Sequence, residues 1–151
     1  MDAIHLHLLI NHLPIVGIII GALIFYAGLI RSNRTVLSTG AWVMLISAIL
    51  SFPTNMSGER AEDASRKLTY IEHDRVEHHE DMAKRFLFSN VGLAVSSLLY
   101  LFASKATSRL AGYKFLITII LIIFSISSMY FSIDAGKSGG EIRHEEIRQS
   151  S

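Results

Sequence analysis

Four long apolar runs dominate the pattern of hydrophobic and polar positions along this chain, and none of them contains Asp, Glu, Lys, Arg or His. A helix needs roughly 20 residues, with about 17 as the lower limit, to cross a hydrocarbon core of ~30 Å. Each run is therefore long enough to form one transmembrane helix. The predicted spans are residues 13–30, 36–52, 86–104 and 115–133.

The polar segments between these runs carry charges of different sign. The loop after the first run holds Arg31 and Arg34, and the loop after the third holds Lys105, Arg109 and Lys114, with no acid in either. The positive-inside rule assigns such loops to the cytoplasm. The N-terminus, residues 54–85 and the C-terminal tail then share the opposite side, together with all 13 acidic residues and all seven histidines. Both termini are expected to face out of the cytoplasm.

Length and composition agree with a membrane protein, because half of the 151 residues are hydrophobic and the charges are clustered. We expect one domain, residues 1–151, in contact with the lipid bilayer. Two helix pairs joined by short loops predict an all-α antiparallel four-helix bundle, with a helical segment outside the membrane between helices two and three. The chain has no basic stripe with interleaved aromatic residues, so nothing in the sequence indicates nucleic-acid binding.

The absence of cysteine limits the chemistry of any cofactor site. Disulfides, iron–sulfur clusters, thiolate zinc sites and the thioether attachment of c-type haem are all excluded. Histidine and carboxylate remain as the strong ligands. Mixed imidazole and carboxylate donors suit iron, manganese, zinc or copper(II).

The start of helix one carries His7 and His12, which lie at the predicted outer edge of the hydrocarbon layer. They are candidate ligands, and the alternative is that they anchor the helix end at the interface. Further along, glycines at spacings of four and seven form a stripe that lets another helix approach closely. These glycines are Gly17, Gly21 and Gly28.

The segment after helix two is acidic. Pro53 is expected to end helix two, and Ser57 is a candidate N-cap for a new helix. Glu59 and Glu62 then share one face of that helix, as carboxylates at a cation site would. The alternative is that these acids only complement the helix dipole.

The polar residues before helix three continue its helical pattern. Val76, His79 and Phe86 follow the three-or-four spacing of one helical face, which predicts that His79 points toward the bundle. Glu80 lies at the edge of that face. His78 and Asp81 are expected to turn away, as in an ordinary solvated helix.

The C-terminal tail contains three glycines, at positions 136, 139 and 140, which predict a sharp reversal after helix four. Glu141 and His144 beyond them have the Glu-x-x-His spacing of di-iron carboxylate bundles. His144 is accordingly a candidate ligand. The alternative is a disordered tail.

The run His7-x-x-x-x-His12-Leu-Pro14, followed by His79-x-x-x-Ala83 at the entry to helix three, resembles a known family. The family consists of small bacterial four-helix membrane proteins of unknown function, whose first helix typically has an H-P-x-x-x-H-F-P pattern. Its domain is often fused to cytochrome c or Rieske modules. The resemblance implies the bacterial cytoplasmic (inner) membrane, a redox setting, a periplasmic or membrane redox protein as partner, and haem as a possible cofactor.

Three functions remain open from the sequence. The first is a transition-metal centre at the periplasmic face, for redox chemistry or metal handling, with ligands from His7, His12, Glu59, Glu62, His79, Glu80 and His144. The second is a haem b electron carrier with His12 and His79 as axial ligands. The third is a metal-free accessory subunit that docks a periplasmic partner. Leu8 stands where the family often has proline, and a haem protein has no need of the carboxylates, so the first function is favoured.

Overall fold

The structure, a computed structural model, describes residues 9–65, 73–105, 107 and 109–143, with side chains over 9–60, 76–105, 107 and 109–140. Four long helices account for nearly all of this part of the chain, and it contains no strand. A short 3₁₀ turn, Ala111–Tyr113, precedes the last helix. The helices are α1 (His12–Ile30), α2 (Arg34–Ser65), α3 (His73–Ala103) and α4 (Lys114–Arg143).

All four helices are long and apolar enough to cross a membrane, as the four predicted spans require. Large apolar side chains also point outward, as Leu23 at 60% exposure and Ile123 at 58% illustrate. A surface of this kind is stable against lipid and costly in water. The chain therefore has the characteristics of a multi-pass membrane protein. The helical segments that qualify as candidate spans are His12–Ile30, Arg34–Arg60, Val76–Ala103 and Ala111–Gly140.

A tight turn connects α1 to α2. Ser32 adopts a left-handed conformation with φ 50°, and the Asn33 N–H donates back to the carbonyl of Gly28 at 3.0 Å. The Asn33 side-chain oxygen then accepts from the N–H groups of Thr35 and Val36 at 3.0 and 3.2 Å. Asn33 thus caps the start of α2. The short turn makes α1 and α2 antiparallel neighbours.

Glycines allow α1 and α2 to approach to backbone contact. A Cβ on Gly28 would lie 2.7 Å from the Leu37 nitrogen, and one on Gly21 would lie 2.9 Å from the Met44 nitrogen. On α2, a Cβ on Gly40 would lie 2.5 Å from the Phe25 nitrogen. The predicted packing role of the glycine stripe is confirmed.

Serines and two aromatic residues form further contacts between the helices. Ser89 of α3 donates to Ser127 of α4 at 2.9 Å, and Gly92 packs against the Phe124 ring. Tyr26 of α1 hydrogen-bonds Ser125 of α4 at 2.5 Å. Each helix packs most extensively against its neighbours in sequence, while α1 and α4 meet over a smaller area. The result is the predicted antiparallel four-helix bundle.

Pro53 does not end the second helix, and that prediction was wrong. The helix continues to Ser65, and Ser57 donates to the Thr54 carbonyl at 2.6 Å within it instead of capping a new helix. Proline removes only the hydrogen bond to the Ile49 carbonyl, and beside it the Thr54 hydroxyl donates to the Leu50 carbonyl at 2.9 Å. The expected helical segment between helices two and three therefore begins as an extension of α2.

The predicted reversal after helix four is also wrong, because α4 runs through all three glycines to Arg143. Gly139 packs against His79, whose ring would lie 3.1 Å from an added Cβ. Ser132, Ala135 and Ser138 are buried at helical spacing, so the packed face of α4 continues past Ile133. Contact with α3 outweighs the low helix propensity of glycine.

Candidate functional site

His79 lies where α3 and α4 meet at the end of the bundle that carries the acidic residues. Its Nδ1 is 2.9 Å from the Ser138 hydroxyl, and Ser138 is only 5% exposed. The ring also rests on Gly139. The predicted inward orientation of His79 is confirmed, with α4 as its neighbour.

The hydrogen-bonding direction at Ser138 indicates which nitrogen of His79 carries a proton. The Ser138 hydroxyl donates to the Ala135 carbonyl at 3.2 Å. In that arrangement Ser138 Oγ accepts from Nδ1–H of the ring, since a hydroxyl has one hydrogen. Histidines that bind metals commonly hold their other nitrogen in such a hydrogen bond, which fixes the tautomer and the ring orientation.

A cleft of about 230 Å³ lies beside this pair, and it is lined by His78, Met82, Asp134, Lys137 and Ser138. His78 is exposed, as expected, yet it faces this cleft. Sequence reasoning did not select Asp134 because it placed that residue beyond the end of helix four. The serine spacing through 125, 128 and 132 was the signal that the helix continues.

Two other described candidates, Glu59 and Glu80, have partners on their own helices. Glu80 forms an ion pair with Lys84 at 2.8 Å, and exposed Glu59 accepts from Asn55 Nδ2 at 3.1 Å. His12 is exposed at the start of α1. Such i,i+4 pairs are common on helix surfaces and stabilise them modestly. The side chains of His7, Glu62 and His144 lie outside the described residues.

Within the described part of the chain, no group of three or more His, Asp or Glu residues could hold a metal ion. His79 and Ser138 therefore supply at most part of a candidate metal centre. Further ligands would have to come from residues whose side chains are not described, which include His7, Glu62 and His144.

Sequence reasoning also missed a polar interior. Asn90 and Ser97 of α3 are fully buried in the middle of a predicted span. Their spacing of seven, repeated by Ser89 and Ser96 beside them, was the available signal. The buried polar residues are Ser47, Ser51, Ser57, Ser89, Asn90, Ser96, Ser97, Ser125, Ser128, Ser132 and Ser138.

The fold and the surroundings of His79 define the class of protein. It is a helical-bundle membrane protein with a polar interior and a histidine at one end. Comparison with protein-family models, curated proteins and solved structures gives no match. The resemblance carried by His7, His12, Pro14, His79 and Ala83 stays a prediction.

Proposed function

We propose that this chain is a multi-pass protein of the bacterial cytoplasmic membrane with a His/carboxylate transition-metal centre at its periplasmic face. The centre serves redox chemistry or metal handling. The observation that carries the proposal is the hydrogen-bond chain from His79 through Ser138 to the Ala135 carbonyl. This chain fixes the ring and favours Nε2 as a metal ligand.

The remaining ligands are drawn from the same end of the bundle. Because α2 and α3 are antiparallel neighbours, the end of α2 at Ser65 and the start of α3 at His73 lie at one end. Glu62 is therefore the preferred carboxylate ligand. The candidate set of ligands is completed by His7, His12, Glu59 and His144. Glu80 is not proposed as a ligand, because it forms an ion pair with Lys84.

Haem b is less well supported than a non-haem centre. A haem with two axial histidines needs both imidazoles to face one porphyrin from opposite sides. His12 is exposed on α1, whereas His79 is bonded to Ser138 of α4. The donor set of imidazole and carboxylate favours iron, manganese, zinc or copper(II) without a porphyrin.

Metal content should depend on His79 and Glu62. We expect His79→Ala and Glu62→Ala to lose most of the bound metal, and Ser138→Ala to weaken metal affinity by ~10–100-fold, as loss of a hydrogen bond that orients a ligand does. Asp81→Ala is the control, because Asp81 is exposed on the same helix. His78 is unsuitable as a control since it lines the cleft beside Ser138. The measurement is elemental analysis of detergent-purified protein.

Each other outcome selects a different function. A strong Soret band that disappears in His79→Ala would support the haem carrier. Wild-type protein without metal, or equal metal content in all four variants, would contradict the metal centre and favour the accessory subunit that docks a periplasmic partner.

Membrane orientation is testable by cysteine labelling, since the natural chain has no cysteine. We expect a cysteine at Ser32 to be protected from a membrane-impermeant thiol reagent in intact cells, and one at Gly136 to react. Both positions are exposed and lie outside the uncharged runs 13–30 and 115–133, and an added Cβ at Gly136 meets no atom within 4 Å. Labelling at position 32 alone would reverse the proposed orientation, and both cysteines should react after the cells are permeabilised.

A further inference from the structure

A groove of about 380 Å³ lies between α3 and α4, and it shares no lining residue with the cleft beside Ser138. It is lined by Lys84, Arg85 and Phe88 of α3 and by Phe131 of α4. Lys84 and Arg85 lie one helical turn before Phe88, so these three side chains share one side of α3. None of the described acidic residues lines the groove. Along α3, the groove therefore passes from basic residues to an aromatic ring.

The groove lies where the uncharged part of each helix begins or ends. Lys84 and Arg85 directly precede the uncharged run 86–104. Phe88 lies inside that run, and Phe131 lies in the uncharged part of α4. In a bilayer, this arrangement puts the charged groups at the level of the lipid headgroups and the rings beside the acyl chains.

Arg85 brings a positive charge to the groove that no described residue compensates. Lys84 has a carboxylate partner, because its Nζ is 2.8 Å from an oxygen of Glu80. Arg85 is exposed, and it has no ion-pair partner among the described residues, although Asp81 lies one turn before it on α3. A guanidinium group can donate two parallel hydrogen bonds to a phosphate. At the surface of a bilayer, the phosphate of a lipid headgroup is the anion within reach.

We propose that this groove binds an anionic phospholipid, with the headgroup phosphate on Arg85 and an acyl chain along Phe88 and Phe131. Phosphatidylglycerol fits this chemistry because its headgroup carries one negative charge and no ammonium group. Lys84 contributes less than Arg85, since Glu80 shares its charge. Basic pockets between transmembrane helices bind anionic lipid headgroups in the same way. The site is independent of the proposed metal centre.

Native mass spectrometry of the full chain in detergent, with phosphatidylglycerol or phosphatidylcholine added, tests the lipid preference. We expect the wild type to bind phosphatidylglycerol about fivefold more tightly than phosphatidylcholine, which corresponds to ~1 kcal/mol for one basic residue at the membrane surface. Arg85→Gln should lose this preference. Equal affinity of the wild type for the two lipids would overturn the proposal.

Arg60→Gln is the matched control for the charge. It removes the same group from an exposed arginine of α2, at the same end of the bundle and outside the groove. It should keep the preference for phosphatidylglycerol. Equal losses in Arg60→Gln and Arg85→Gln would mean a general attraction of anionic lipid to this end of the protein, which contradicts a site in the groove.

Phe88→Ala and Phe115→Ala test the apolar part of the groove. Their rings are 78% and 79% exposed, so neither substitution leaves a cavity in the bundle and both proteins should fold. We expect Phe88→Ala to weaken phosphatidylglycerol binding several-fold through lost acyl-chain contacts, and Phe115→Ala to leave it unchanged. Glycerophosphoglycerol, the same headgroup without acyl chains, should not displace the lipid. Displacement by this soluble headgroup, or equal affinities of the two Phe variants, would refute a lipid site.

Discussion

Replacing Gly40 with leucine is expected to separate α1 from α2 and destroy the bundle. The new Cβ would lie 2.5 Å from the Phe25 nitrogen and 2.8 Å from the Gly21 carbonyl oxygen. Both are backbone atoms, so no side-chain rotation can relieve the overlap. Overpacking of a well-packed core costs about 3 kcal/mol or more in such cases. Thermal unfolding in detergent, followed by circular dichroism and size exclusion, measures the effect.

Gly136→Leu is the matched control for this substitution. Gly136 is also helical, but an added Cβ there has open space around it. We expect its melting temperature to stay close to the wild-type value. A Gly40→Leu protein as stable as Gly136→Leu would contradict the close packing of α1 and α2.

Phe25→Ala is expected to be the most damaging substitution of a large core side chain. Phe25 is 0% exposed, and its ring meets the ring of Tyr100 edge-on, with 5.1 Å between centroids. This contact joins α1 to α3 across the bundle. Between membrane helices the loss is mainly of van der Waals packing, so we expect the lower end of the usual range, about 3 kcal/mol. Unfolding by a graded increase of denaturing detergent measures the free energy.

Phe115→Ala removes the same side chain from the lipid-facing surface. Phe115 is 79% exposed near the start of α4. Its loss should change the free energy of unfolding little, because no cavity forms inside the bundle. Equal losses at positions 25 and 115 would mean that Phe25 does not hold α1 against α3.

Part of the site was predictable because it follows from position along a single helix. His79 shares the face of Val76 and Phe86, and the structure places it against the next helix as expected. Its partner could not be foreseen. Ser138 lies 59 residues away, and their contact depends on how far α4 continues and on its rotation against α3. The same dependence explains why Asp134 and the buried amide of Asn90 were missed.

The sequence by itself determined the four spans and the glycine surface that brings α1 against α2. Uncharged runs of sufficient length have few alternatives to a membrane helix, and glycine spacing is a local property of one helix. Only the tertiary structure decided that α2 continues past Pro53 and α4 through Gly136, Gly139 and Gly140. The reason is physical: the tendency of proline and glycine to end helices reflects chains in water, where freed backbone groups are solvated. Where a neighbouring helix packs alongside, as α3 does at Gly139, continued helix is the lower free-energy choice.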